Sequence, residues 1–118
     1  MNDIKPIDIA IETYKHKKYY FENYMKIAKK IKKFLRNKID KNARVIVFGS
    51  VVKGNYIPLS DLDILIITNK IKRDEYAKVF TKIKKHLKDL FAPIEFHIVN
   101  EETFNNRYKK FLDKYVEV

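Results

Sequence analysis

Two carboxylates two residues apart, Asp61 and Asp63 in the stretch Ser60-Asp61-Leu62-Asp63, open a run of aliphatic residues, Ile64-Leu65-Ile66-Ile67. In a strand such a pair projects to one face, with Cβ atoms about 7 Å apart. Like charges at that spacing repel, and beside an apolar strand each is costly without a partner. A hard divalent cation supplies the countercharge and in turn binds phosphate oxygens. Ten residues separate Asp61 from Gly49-Ser50, which is followed by a short helical turn, Val51 to Lys53, and by Gly54. A strand that ends in Gly-Ser before a helical turn presents N–H groups and a hydroxyl to a phosphate, and Gly49 lets the backbone come close. Glu95 is the third acid. In Ile94-Glu95-Phe96-His97-Ile98-Val99 it shares a strand face with His97 and Val99. If that strand neighbours the one carrying Asp61 and Asp63, three carboxylates converge. Three is the number that two-metal phosphoryl or nucleotidyl transfer uses, with one acid drawing the proton from the nucleophile.

The elements that would position these groups are legible in the apolar pattern. From Ile7 to about Ile39, Tyr20, Tyr24, Ile27, Ile31, Phe34 and Leu35 recur at three- and four-residue steps among lysines, which predicts an amphipathic helix begun at Pro6. Its apolar phase is poorer at Lys15 to Lys18, where a kink is expected. Ala43 to Phe48 and Leu62 to Thr68 read as buried strands. Lys72 to Phe91 has helical spacing ahead of Pro93, Ile94 to Val99 is a third strand, and Glu101 to about Tyr115 is a last helix capped by Asn100. The order predicts an α/β (α+β) fold in which helices pack on a small mixed sheet, as a single domain over residues 1–118.

Composition sets the outer bounds. The 118 residues suffice for one modest core, and the absence of cysteine removes disulfides and thiolate metal sites. Apolar runs are too short to span a bilayer, and the first residues carry no signal-peptide pattern, so no membrane and a cytoplasmic location are expected. The formal charge of +11 invites a nucleic-acid reading. The excess lies mostly between Lys15 and Lys41, however, and Lys far outnumbers Arg, so a solvated lysine face is the expectation and nucleic acid is not the expected partner.

Several residues carry a plainer reading beside the chemical one. Glu95 alone would suit a salt-bridged edge, Lys53 divides between phosphate contact and surface charge, and His97 fits a core or rim histidine and is given no role. Tyr14, Tyr19, Tyr20 and Tyr24 fit packing of the first helix or an interface.

Gly49-Ser50, ten residues, then Asp61-Leu62-Asp63 between two strands resembles the signature of the DNA polymerase β-like nucleotidyltransferase superfamily, and the short length points to its minimal branch. Lys53, Gly54 and Ser60 also match that pattern, and the resemblance covers Val45 to Val99. It implies a polymerase β-like nucleotidyltransferase fold and Mg²⁺-dependent transfer of a nucleoside monophosphate, usually AMP from ATP. By the same resemblance Gly49, Ser50, Lys53 and Ser60 would hold the nucleotide. Asp61 and Asp63 would ligate two Mg²⁺ ions, and Glu95, where that branch commonly has Asp, would ligate one of them and act as base. Minimal members pair with small helical HEPN toxins and modify a toxin tyrosine, so an antitoxin role with such a partner is the leading expectation. A non-catalytic binding module, or a small-molecule transferase completed by a homodimer, are the alternatives.

Overall fold

The computed structural model describes residues 5–118. Helix α1 (Pro6–Glu22) leads into α2 (Tyr24–Lys38), strand β1 (Arg44–Phe48), the one-turn helix α3 (Ser50–Lys53) and β2 (Leu62–Ile67). A 3₁₀ turn (Arg73–Glu75) precedes α4 (Tyr76–His86), and β3 (Ile94–Val99) follows. The chain then makes α5 (Glu101–Thr103), a π-helical turn (Phe104–Tyr108), α6 (Lys109–Phe111) and β4 (Tyr115–Glu117). The four strands form one mixed sheet in the order β3-β2-β1-β4. β1 runs antiparallel to β2 and to β4, while β2 and β3 are parallel and joined by the α4 crossover.

Binary patterning assigns the two faces. Val45 and Val47 of β1, with Leu62, Ile64 and Ile66 of β2 and Ile94 and Ile98 of β3, meet Ile27, Ile31 and Leu35 of α2 and Val79 and Ile83 of α4. Each such side chain removed from water contributes about 1.5–3 kcal/mol. The opposite face carries a smaller cluster, Ile46, Leu65, Ile67 and Val99 against Phe104. Because β2 is covered on both sides, its sequence is a near-continuous aliphatic run rather than an alternation. On that second face, one end of the sheet is left without an apolar cover, and there the acids stand.

Three expectations are corrected. The first helix runs unbroken through Lys15 to Lys18 and divides instead at Asn23, whose backbone (φ −114°, ψ 26°) leaves the helical region. The Asn23 side chain and its own N–H both donate to the carbonyl of Tyr19, at 2.8 and 3.1 Å, a local competitor for helix continuation. The helix ahead of Pro93 stops at His86 rather than Phe91, because Lys88 takes a left-handed conformation (φ 59°) and the N–H groups of Lys88 and Asp89 close the end onto Lys85 and Lys84. The last helix, expected to run to about Tyr115, stops at Phe111, and Tyr115 to Glu117 adds a strand to β1. Arg44 fixes that strand, donating from Nε and Nη2 to the Glu117 carboxylate at 2.8 and 2.7 Å, and to Glu101 at 2.9 Å. No helix among the described residues is long and apolar enough to cross a membrane.

Candidate active site

Register builds the site. Phe48 is opposite Asp63 across the β1–β2 pair, and Asp63 is opposite Glu95 across the parallel β2–β3 pair. The three therefore form one row across the sheet, with Leu65 and His97 paired in the next row. The carboxyl groups of Asp63 and Glu95 are close enough to share a hydrogen bond. Burial first, then that bond and the like charges of Glu95 and Asp61, push the Asp63 carboxyl up to about 6. An acid pair in which burial and neighbouring like charge raise the Asp63 pKa suits a divalent cation, which would supply the missing positive charge.

Gly49 has a tighter role than an approach point for phosphate. Its backbone, φ 84° and ψ −160°, lies in a region open in practice to glycine. A Cβ there would overlap Oδ2 of Asp63. The missing side chain thus makes the space in which Asp63 sits, and the Gly49-Ser50 turn is packed directly against an acid. Ser50 begins α3, and Gly54 ends it in the left-handed region (φ 78°), its N–H donating to the carbonyls of Ser50 and Val51.

The remaining expected residues lie as follows. Asp61 stands exposed one residue before β2, held 3.2 Å from the Nζ of Lys17, which also donates to the Ser60 carbonyl at 3.0 Å. The Ser60 hydroxyl accepts from the N–H of Ile57 at 3.0 Å, so it shapes the turn that delivers Asp61. Lys53 reaches out to Asp113, at 3.6 Å, on the surface. Asp63 and Glu95 are thus brought together, with Asp63 against Gly49, Asp61 lies one residue outside the strand, and Lys53 and Ser60 are engaged elsewhere.

Two residues near the acids had no role in the sequence reading. Lys17 reaches Asp61 from α1, and nothing in sequence marks it out from its neighbours Lys15 and Lys18. His97 lies on the face of Glu95, with Nε2 3.7 Å from a Glu95 oxygen. One ligand atom from each of Asp63, Glu95 and His97 falls within 4.8 Å of the others. The signal for His97 was present, since alternation on β3 already placed it on the acid's face. The residues fit a metal by the chemistry of their donors: two carboxylates and an imidazole facing one another beside a turn with free access to solvent.

Comparison with known proteins agrees with this geometry. A sequence model of the nucleotidyltransferase domain matches residues 28–118, most of the chain and all of the acid-bearing strands. Among solved structures, the fold resembles a protein from Sulfolobus solfataricus described as a nucleotidyltransferase candidate, at 19% identity and a TM-score of 0.55, over 99% of this chain and 89% of that one. No curated protein matches the sequence. The match over residues 28–118 shows that the chain belongs to the nucleotidyltransferase domain family, whose general chemistry is nucleotidyl transfer.

Proposed function

We propose that this protein transfers AMP from ATP, with Mg²⁺, to a tyrosine of a small helical HEPN-type toxin, acting in the cytoplasm as the antitoxin of that pair and working as one domain. The observation that carries the reading is the in-register pair of Asp63 and Glu95 set against Gly49. Asp61, Asp63 and Glu95 would hold the divalent ions, which when bound neutralise the triphosphate and stabilise the pyrophosphate leaving group. The exposed Glu95 carboxylate takes the proton from the acceptor hydroxyl as that oxygen bonds to the α-phosphorus and the bond to pyrophosphate breaks. The Gly49-Ser50 turn seats phosphate oxygens. Glu95 and Asp61 have side chains 61% and 45% exposed, an open rim that admits an acceptor carried on another protein.

The test is transfer of label from α-labelled ATP to the cognate toxin. Asp63→Asn is expected to lower the rate a hundredfold or more, as the loss of several kcal/mol of charge stabilisation requires. Transfer unaffected by Asp61→Asn and by Asp63→Asn would remove the assignment. Neutralisation of the toxin without transfer would identify a binding module, and labelling of small acceptors by a homodimer would identify a small-molecule transferase.

A further inference from the structure

We propose that His97 is a direct ligand in this site, and that Asp63, Glu95 and His97 together form a nitrogen-containing ion position selective for a transition-metal cation, typified by Mn²⁺, over Mg²⁺. The inference deepens the nucleotidyltransferase reading and rests on it, but it concerns ion binding and is tested by ion binding. Its observations are three. The imidazole lies on the acids' face of β3, one strand repeat from Glu95, and β2 sets Asp63 across from that acid. Nε2, 3.7 Å from the Glu95 oxygen, lies between the separations of about 3.0 Å and about 4.2 Å that adjacent and opposite ligands take on an ion with bonds near 2.1 Å. The ring is held in place by Phe48, whose centroid is 5.3 Å away at an interplanar angle of 57°.

The three donors all lie within 4.8 Å of one another, and Glu95, with its side chain 61% exposed on the rim, has room to adjust toward an ion. Asp61 stands outside this group on its contact with Lys17, which leaves it to a second ion shared with Asp63 and the nucleotide phosphates. Donor chemistry then sets preference. All-oxygen positions suit Mg²⁺, whereas one neutral imidazole adds affinity along the series that rises from Mn²⁺ through Fe²⁺ and Co²⁺, and it does so without adding negative charge.

The experiment is pulsed electron paramagnetic resonance of Mn²⁺ on the whole protein with ATP present, with and without ¹⁵N-histidine labelling, alongside calorimetric titration of Mn²⁺ and Mg²⁺. The expected result is histidine nitrogen coupling to Mn²⁺ that changes isotope pattern on labelling, vanishes in His97→Gln and persists in His86→Gln. Mn²⁺ affinity should fall at least about 10–100-fold in His97→Gln, the range seen when the outer partners that merely orient metal ligands are removed, while Mg²⁺ affinity shifts far less. The labelled native protein reports on the ligand even if a His97 variant fails to fold. Mn²⁺ bound with no histidine nitrogen coupling, or equal losses for both ions, would overturn the His97 assignment and leave nucleotidyl transfer standing. Failure to bind either ion, with or without ATP, would overturn both readings.

Discussion

Gly49→Ala separates the two jobs of one glycine. At φ 84° and ψ −160° a residue with a Cβ is strained by about 1–3 kcal/mol. The methyl has a second effect, because it would overlap Oδ2 of Asp63 and lie 3.1 Å from its Cγ and 3.4 Å from its Cβ. Asp63 is fixed in β2 between Phe48 and Glu95, so it escapes only by leaving its rotamer, at about 0.5–1.5 kcal/mol. The two contributions predict a total loss of about 1.5–4.5 kcal/mol. In an Asp63→Ala background Oδ2 and Cγ are gone, the surviving 3.4 Å approach is ordinary contact, and only the backbone strain remains. Urea denaturation of the four proteins of this cycle should therefore give a double variant more stable than the sum of the single changes by about 0.5–1.5 kcal/mol. Gly54→Ala is the control: φ is 78°, nothing lies within 4 Å of the added Cβ, and a loss of about 1–2 kcal/mol with no coupling to Asp63 is expected. Additivity of Gly49→Ala and Asp63→Ala within about 0.3–0.5 kcal/mol would refute the idea that Gly49 exists to make room for the acid.

Asp63→Asn is expected to stabilise the protein while lowering the rate of the proposed transfer. Because the folded carboxyl is raised to about 6, the folded state holds more protons than the unfolded one between the ordinary value near 4 and that point, and stability declines as pH rises through the window. Thermal melts should show the variant ahead of the wild type by about 1 kcal/mol above pH 6, discounted for solvent at the rim, and equal to it near pH 4; a variant no more stable at high pH contradicts the charge strain. Asp40 gives the opposite sign. It is buried, and the Thr68 hydroxyl at 2.6 Å, with an N–H from Asn42 at 2.9 Å, holds it below the usual carboxylate range. Its contribution is full above the unfolded value near 4 and is lost as pH falls through the lower folded one. Thr68→Val should cost about 1.5–3 kcal/mol at neutral pH and flatten the acid limb of the stability profile, and an unchanged limb would assign that slope to other carboxylates.

The sequence made the strands and the acid spacing legible because both are local patterns: β-branched runs bounded by Gly49 and Pro93, and carboxylates two apart. Register was not local. Whether Glu95 faces Asp63 depends on how β3 aligns with β2, a choice made by the α4 crossover and by both strands burying their alternate residues on the α2 and α4 side. The break at Asn23 was hidden because apolar periodicity continues across it, and only a side chain competing for the Tyr19 carbonyl marks it. β4 was hidden because three residues carry no period, and it is specified by Arg44 reaching Glu117 across 73 positions of sequence. Lys17 was hidden for a related reason, since its reach to Asp61 is a tertiary fact and Lys15 and Lys18 beside it look the same in sequence.

The direction of β1 explains why the site lies where it does. In open parallel sheets, ligands gather outside the carboxyl ends of the strands. Here Asp63 and Glu95 are the second residues of β2 and β3, at the amino ends of that parallel pair. β1 runs the other way, so its last residue, Phe48, lies opposite Asp63, and the Gly49-Ser50 turn emerges at the same end of the sheet as the acids. Were β1 parallel to β2, that turn would leave from the far end, about 16 Å away at 3.3 Å per residue over a five-residue strand, and no side chain would bridge the gap. Antiparallel pairing of β1 with β2 is thus what joins the proposed phosphate seat to the acid pair. Gly49 then sets how closely they join, because the volume its side chain would fill is the volume that Asp63 occupies.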